Sequence, residues 1–453
     1  MVAKDPVLPA ELRMTASEMR DRLASGALKA VEVAKATVAH IEATEPDVGA
    51  WAWFDPDYVM GQAEILDNYR ASGRAVGPLH GVPVGVKDII DTAKIPTENG
   101  SPLDAGRVPT NDAYIVGRLK QAGAIIAGKT VTTQLAFMDP GKTRNPRNLK
   151  HTPGGSSSGS AAAVSAGMVP LAIGSQTGGS VIRPAAFCGV VGFKPTYGAI
   201  PRTGMLAQAP SLDTVGVIAQ TVEDAGLVAQ NLFGFDASDK ATSFAPAPNL
   251  FEVAKSAPPV RPTLAFVRQP AWELADDETK SAFKELTEFL GEDCLEVGLP
   301  NAFTEAMIGQ RHIQLAELTK SYYSYARRGA DQLGARLTAA MKDGNEISAR
   351  DYIAALDWSE ILNAALDEIF DRFDAIITPA APGFAPEGYL NGGDPAFNGL
   401  WTMCGVPAVT IPVLEAGNGL PMGVQVIGRR GDDGRTLRTA RWLAQHLQQS
   451  AKS

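Results

Sequence analysis

Residues 151–189 read HTPGGSSSGSAAAVSAGMVPLAIGSQTGGSVIRPAAFCG. So much Gly, Ser and Ala is also the composition of a flexible linker. The apolar residues argue otherwise. Val164, Met168, Val169, Leu171 and Ile173 interleave with the small ones. Ala161 to Val164 suits a helix whose small face lets backbones approach, and Leu171-Ala172-Ile173 suits a buried strand. Working outward, Pro83 to Asp88 reads as a strand ending in charge. A helix fits 113–121, with a short strand from Ala122 to Gly128. Towards the N-terminus, Thr15-Ala16-Ser17-Glu18 is a capping box, and helices fit 30–45 and 57–73. Downstream, strands fit Pro262–Val267 and Asp374–Thr378. Helices fit 277–290, 302–328, 348–372 and 433–448, and Leu362, Leu366, Ile369, Phe370 and Phe373 form a core stripe on one of them. Ala408–Val413 and Met422–Gly428 flank Gly417-Asn418-Gly419 as a strand pair. Strands alternating with helices along the whole length predict an α/β fold around one large sheet.

The 453 residues carry 41 Lys+Arg against 50 Asp+Glu, a net charge of −9, with 45% hydrophobic residues. That is a globular composition. The acidic balance argues against nucleic acid, because no basic stripe exists to displace counterions from phosphates. Three scattered cysteines, Cys188, Cys294 and Cys404, give neither a disulfide framework nor a zinc motif. The first residues, MVAKDPVLPAELRM, have no apolar h-region, and no apolar run reaches membrane-spanning length. A cytoplasmic protein without a membrane partner is the expectation.

Three segments carry chemistry. Gly155-Ser156-Ser157-Ser158-Gly159 matches G-x-S-x-G, the nucleophile elbow of α/β-hydrolases. That elbow needs a strand before it and a histidine after a later strand. Lys150-His151-Thr152-Pro153-Gly154 is no strand, and none of the five histidines stands in the expected order. In Gln176-Thr177-Gly178-Gly179-Ser180 a strand runs into two glycines and a serine. Such a loop either turns its backbone N–H groups toward one point, as an oxyanion hole does, or is a tight turn. Lys87 ends a strand among Val84, Val86, Ile89 and Ile90. It either snorkels to the surface or, buried, loses its proton readily enough to act as a base. Of the other candidates, Tyr322, Tyr323 and Tyr325 suit packing better than a substrate pocket, Cys188 suits a buried small hydrophobe, and Asp88 suits a structural role.

Together these segments resemble the amidase signature family. The resemblance rests on Gly81-Val82-Pro83-Val84-Gly85-Val86-Lys87-Asp88, Gly154 to Ser160 and Thr177 to Ser180. It extends to Ala185 to Gly189, Gly192 to Thr196 and Ser211 to Gly216. Near the end Gly405 to Ala408 and Gly423 to Gly428 also match. It spans nearly the whole chain and is weakest over about 235–370. The family's fold would be one large twisted mixed sheet covered by helices on both faces. It implies a single domain, 1–453, with its core at 75–220 and a variable pocket region at about 235–370. The loop-rich stretch 237–262 lies at the start of that variable region.

The resemblance also implies a Ser–cis-Ser–Lys triad. Ser180 would be the nucleophile, Ser156 the bridging serine after a cis peptide, and Lys87 the base. The backbone of Thr177, Gly178, Gly179 and Ser180 would hold the oxyanion. No cofactor and no metal is implied. Many family members carry Asp where this chain has Gln176, and Arg two residues after the nucleophile rather than three, as Arg183 stands here. Gln176 to Pro184 looks most like the malonamidase-type branch, in which the matching arginine binds the substrate's carboxylate. Gln176 and Arg183 are therefore the candidate substrate-binding residues, with pairing of Arg183 to Asp213 the alternative. The expected activity is hydrolysis of a small carboxylic amide to acid and amine or ammonia, extending to aryl amides, carbamates or esters. A homodimer is compatible with this. Two rivals are the amidase subunit of a glutamine-dependent tRNA amidotransferase, which needs a second chain as partner, and a catalytically silent binding protein, which the intact triad opposes.

Overall fold

The computed structural model describes residues 8–246 and 248–450. The N-terminal stretch to residue 7 and position 247 of the loop-rich connection lie outside it. Eleven strands form one sheet: β1 (Trp51–Phe54), β2 (Pro83–Lys87), β3 (Ile125–Thr130), β4 (Leu171–Gln176), β5 (Val191–Lys194), β6 (Thr214–Ala219), β7 (Leu264–Phe266), β8 (Cys294–Glu296), β9 (Ala375–Pro379), β10 (Ala408–Glu415) and β11 (Pro421–Ile427). Their order is β1-β3-β2-β4-β6-β5-β10-β11-β9-β7-β8. β2 runs parallel to β3 and β4, whereas β4–β6, β6–β5 and β5–β10 are antiparallel, so the sheet is mixed. Residues near 192 and near 410 pair directly, which joins the two ends of the chain in one sheet.

Alternate side chains enter opposite cores, as a strand covered on both faces requires. Leu171, Ile173, Val215, Val217 and Ala219 join the largest cluster, while Ala172 and Ile218 join a second one built on Ala161–Val164. On the later strands Leu264, Phe266, Ala375 and Ile377 face the first cluster. Ala265 and Ile376 face a third, under Leu362, Leu366 and Phe370.

The glycine- and serine-rich stretch is the most buried part of the chain. Its helix runs Ser158–Ser165 with every residue buried. A Cβ on Gly159 would lie 2.2 Å from the Ala50 carbonyl oxygen and 2.3 Å from the Val131 nitrogen, so only glycine lets the helix lie this close. The Ser160 hydroxyl sits 2.7 Å from Thr130 Oγ1 and donates to the Ile173 carbonyl, stitching the helix to two strands.

Most predicted elements are present, with small shifts of their ends. The capping box at Thr15 and Glu18 forms, and β10 and β11 pair as a hairpin. The helix predicted over 302–328 is instead two, Ala302–Ser321 and Tyr323–Gly329. The break falls at Tyr322, whose buried hydroxyl donates to the Leu135 carbonyl at 2.6 Å. Strands β1, β5, β6 and β8 carry no helix-to-strand contrast in sequence strong enough to have marked them, and pairing with neighbours defines them.

Candidate active site

Because β2, β3 and β4 run parallel, their carboxyl ends share one edge, bringing Lys87, Thr130 and Gln176 together. Such an edge is where ligands enter open α/β sheets. Lys87 is fully buried there, so the snorkelling alternative does not hold. Its Nζ lies 2.7 Å from Ser156 Oγ and 2.9 Å from Ser175 Oγ. Burial pushes its pKa down to about 7, against a smaller opposing pull from Asp213. A buried amine near neutrality, hydrogen-bonded to a hydroxyl, is equipped as a general base.

Ser156 sits on the loop before the helix Ser158–Ser165. The Gly155–Ser156 peptide is cis. The Ser156 carbonyl accepts from Thr133 N–H, and the Gly155 carbonyl accepts from Arg183 Nη2 at 2.8 Å. Ser180 follows β4 in the turn leading to the helix Ile182–Cys188 and is half-buried, open to a cavity. Its carbonyl accepts from Ser157 N–H at 3.3 Å, joining the two serine loops. The backbone N–H groups of Gly178, Gly179 and Ser180 donate to no protein acceptor among the described residues. The Gly-Gly loop thus presents free donors beside a serine hydroxyl.

Ser157, the serine at the centre of G-x-S-x-G, is engaged elsewhere. Its hydroxyl is buried and exchanges hydrogen bonds with the backbone of Ser175. His40 and His151 bond the carbonyls of Ala166 and Ala385. Among the described residues no Ser–His pair forms at this loop.

Gln176 is placed differently from a substrate-binding residue. Its Oε1 accepts from Val181 and Ile182 N–H, and its Nε2 donates to Thr402 Oγ1. The carboxamide satisfies the free N–H groups at the start of the helix Ile182–Cys188. It is buried and does not line the cavity, so its groups point into the protein.

Arg183 does line the cavity. It does not pair with Asp213: its Nε donates to the Gly392 carbonyl and its Nη2 to that of Gly155. Nη1 is buried without a partner and lies 2.9 Å from where a Cβ on Gly179 would stand. Burial holds its pKa down to about 10, so the guanidinium keeps its charge at neutral pH. Asp213 instead accepts from Thr177 Oγ1 at 2.6 Å and from the N–H groups of Gln208 and Ala209. It anchors the start of the Gly-Gly loop.

Asp88 faces Lys129 rather than Lys87, at 3.6 Å. Tyr322 and Tyr325 pack in a buried cluster, Tyr323 is exposed, and none of the three lines the cavity. Cys188 is buried, which pushes its thiol pKa well up. Among the described residues no three His, Cys, Asp or Glu side chains gather as metal ligands would, and no helix is long and apolar enough to cross a membrane. Sequence reasoning missed Ser175, Asp213's anchoring role and the cavity residues Gln208, Gln310 and Gln314. For Ser175 a signal existed: a polar side chain on the inward face of an apolar strand, two residues past Ile173.

A lysine, a serine after a cis peptide and a second serine on a Gly-Gly loop therefore meet at one sheet edge. The chain also matches the family model Amidase over residues 32–437. It belongs to the amidase signature family. The amidase is 31% identical to the A subunit of the glutamyl-tRNA(Gln) amidotransferase of Natranaerobius thermophilus, over 96% of each chain. Among solved structures it resembles one from a vestigial protein complex that reveals the evolutionary origins of an s-triazine catabolic enzyme. There the TM-score is 0.89 at 26% identity, over 96% of this chain and 98% of the other. It also resembles the peptide amidase of Stenotrophomonas maltophilia, with TM-score 0.82 at 27% identity over 96% and 97% of the two chains. The amidase is thus an enzyme of carbon–nitrogen bond hydrolysis.

Proposed function

We propose that the chain cleaves a carboxamide C–N bond through an acyl-enzyme on Ser180. The observation that carries this is the contact of Lys87 Nζ with Ser156 Oγ at 2.7 Å, in a buried site that holds the amine near neutrality. Neutral Lys87 takes the Ser156 proton as Ser156 takes that of Ser180. Ser180 Oγ then attacks the carbonyl carbon. The backbone N–H groups of the 177–180 loop receive the charge that develops on oxygen, where each donor contributes about 3 kcal/mol. The proton returns through Ser156 to the leaving nitrogen as the C–N bond breaks. Water then attacks the acyl ester by the same relay in reverse. Labelling by a sulfonyl fluoride tests the assignment: modification of Ser180 is expected, and modification of Ser157 with Ser180 untouched would overturn it.

Two settings for this chemistry remain distinct. The full-length similarity to one chain of an amidotransferase supports a role as the component that releases ammonia from glutamine within a complex. The free-standing hydrolase of a small amide rests on the departures at Gln176 and Arg183, and has less support. Co-purification with a second chain together with glutaminase activity would establish the first; turnover of simple amides by the isolated chain, without glutaminase activity, would establish the second. In either setting the charged guanidinium of Arg183 in the cavity wall supports a contact with an anionic or carbonyl group of the substrate.

A further inference from the structure

The cavity over Ser180 measures about 490 Å³ and carries three glutamines on one wall, Gln208, Gln310 and Gln314. They are joined head to tail. Gln208 Nε2 donates to the Ala136 carbonyl at 2.7 Å, Gln314 Nε2 to Gln208 Oε1 at 3.0 Å, and Gln310 Nε2 to Gln314 Oε1 at 3.2 Å. The direction of this chain is forced. A backbone carbonyl only accepts, so Gln208 must turn its nitrogen to Ala136 and its oxygen outward. That oxygen requires the nitrogen of Gln314, whose oxygen in turn requires the nitrogen of Gln310. The series ends on Gln310 Oε1, an acceptor with no donor from the protein among the described residues.

The series also lines the same cavity as Ser180. Gln314 Oε1 lies 3.9 Å from where a Cβ on Gly178 would stand, beside the loop that faces the scissile carbonyl. Gln310 lies one turn earlier on the helix Ala302–Ser321, roughly 6 Å along its axis. Gln208 is itself fixed to the site, since its own N–H is held by the Asp213 carboxylate that anchors Thr177.

We propose that the Gln208–Gln314–Gln310 series determines specificity, selecting amides whose chain carries an N–H donor roughly one helical turn further along the cavity than Gln314, received by Gln310 Oε1. This rests on the acyl-enzyme reading of the same site. A chain ending in a methyl group displaces water from that acceptor without replacing its hydrogen bond, whereas a terminal carboxamide or ammonium satisfies it.

Pentanamide, pentanediamide and 5-aminopentanamide test this, because they differ only at the far end. The wild-type protein is expected to favour the two donor-bearing amides over pentanamide in kcat/KM by about tenfold or more, the usual size for one hydrogen bond, larger if charged. Gln310→Met keeps the length and removes the acceptor, and should bring that ratio close to one. Gln310→Glu restores an acceptor and should restore the ratio, most for the ammonium. If none of the three is turned over, their protection of Ser180 from phenylmethanesulfonyl fluoride reads binding in the same comparison. Wild-type protein with no preference, or a Gln310→Met protein with the preference intact, would overturn the proposal while leaving Ser180 chemistry standing. Failure of Ser180 to label or turn over any amide would instead remove the acyl-enzyme reading beneath it.

Discussion

Lys87 joins burial to chemistry at a single residue. A free lysine holds its proton to about 10.4; here desolvation brings release to about 7. In the proposed relay the active form is the neutral amine, so kcat/KM is expected to rise with pH through about 7 and then level. A flat profile from pH 6 to 9 would contradict a lysine base. The same shift acts on folding. The unfolded chain keeps the Lys87 proton up to the ordinary range while the folded chain has lost it, so between about 7 and 10 stability rises with pH. Lys87→Met should reduce that slope in denaturant titrations, the buried Lys129 and Lys194, held down to about 8, supplying the remainder, and cost several orders of magnitude in rate. Ser180→Ala should cost a similar factor with the fold intact, since relay members act as a unit. Near-normal turnover by either variant would exclude the relay.

The Gly-Gly loop illustrates how an element can be set by contacts remote in sequence. Gln176 caps the short helix Ile182–Cys188 from the end of β4, and Thr402 bonds both Gln176 and the Gly178 carbonyl. Gln176→Ala removes the one acceptor shared by two N–H groups and is expected to cost about 1–2 kcal/mol of stability, measured by urea unfolding. Its effect on rate should appear in kcat, because it loosens the loop rather than a substrate contact; a change confined to KM would point back to substrate binding. Gly179 tolerates no side chain, since a Cβ would fall 2.3 Å from Asn398 Oδ1. Gly179→Ala should therefore lower kcat by at least a hundredfold while leaving the melting temperature within a few degrees, the signature of a displaced oxyanion donor. The tyrosines of 322–325 carry the opposite lesson. They are conspicuous in sequence, yet Tyr322 serves to break a helix and pin Leu135.

At the scale of the whole molecule, pairing of β5 with β10 closes one sheet from both ends of the chain. A single cooperative thermal transition is expected, and two calorimetric peaks would argue for separable domains. Size-exclusion chromatography of the protein purified from its native cell, with glutaminase assays on the peak, distinguishes a component of a complex from a free-standing enzyme. What the sequence determined unaided was the α/β class, most elements and the chemistry-bearing segments. Those signals are local: apolar periodicity, a capping box, and glycines and serines held in a short ordered run. Tertiary structure decided where each serine side chain lies. Ser156 and Ser157 are adjacent and alike in neighbourhood, and Ser175 stands apart in a strand. Only the parallel alignment of β2 with β4 puts Lys87 Nζ against Ser156 and Ser175, while Ser157 turns to the Ser175 backbone. The glutamine wall was likewise invisible, because Gln208 stands about a hundred residues from the pair Gln310 and Gln314, on elements whose sequences read as ordinary loop and helix surface. Direction in a hydrogen-bonded series is a property of the folded neighbours, and here a single carbonyl, that of Ala136, sets it.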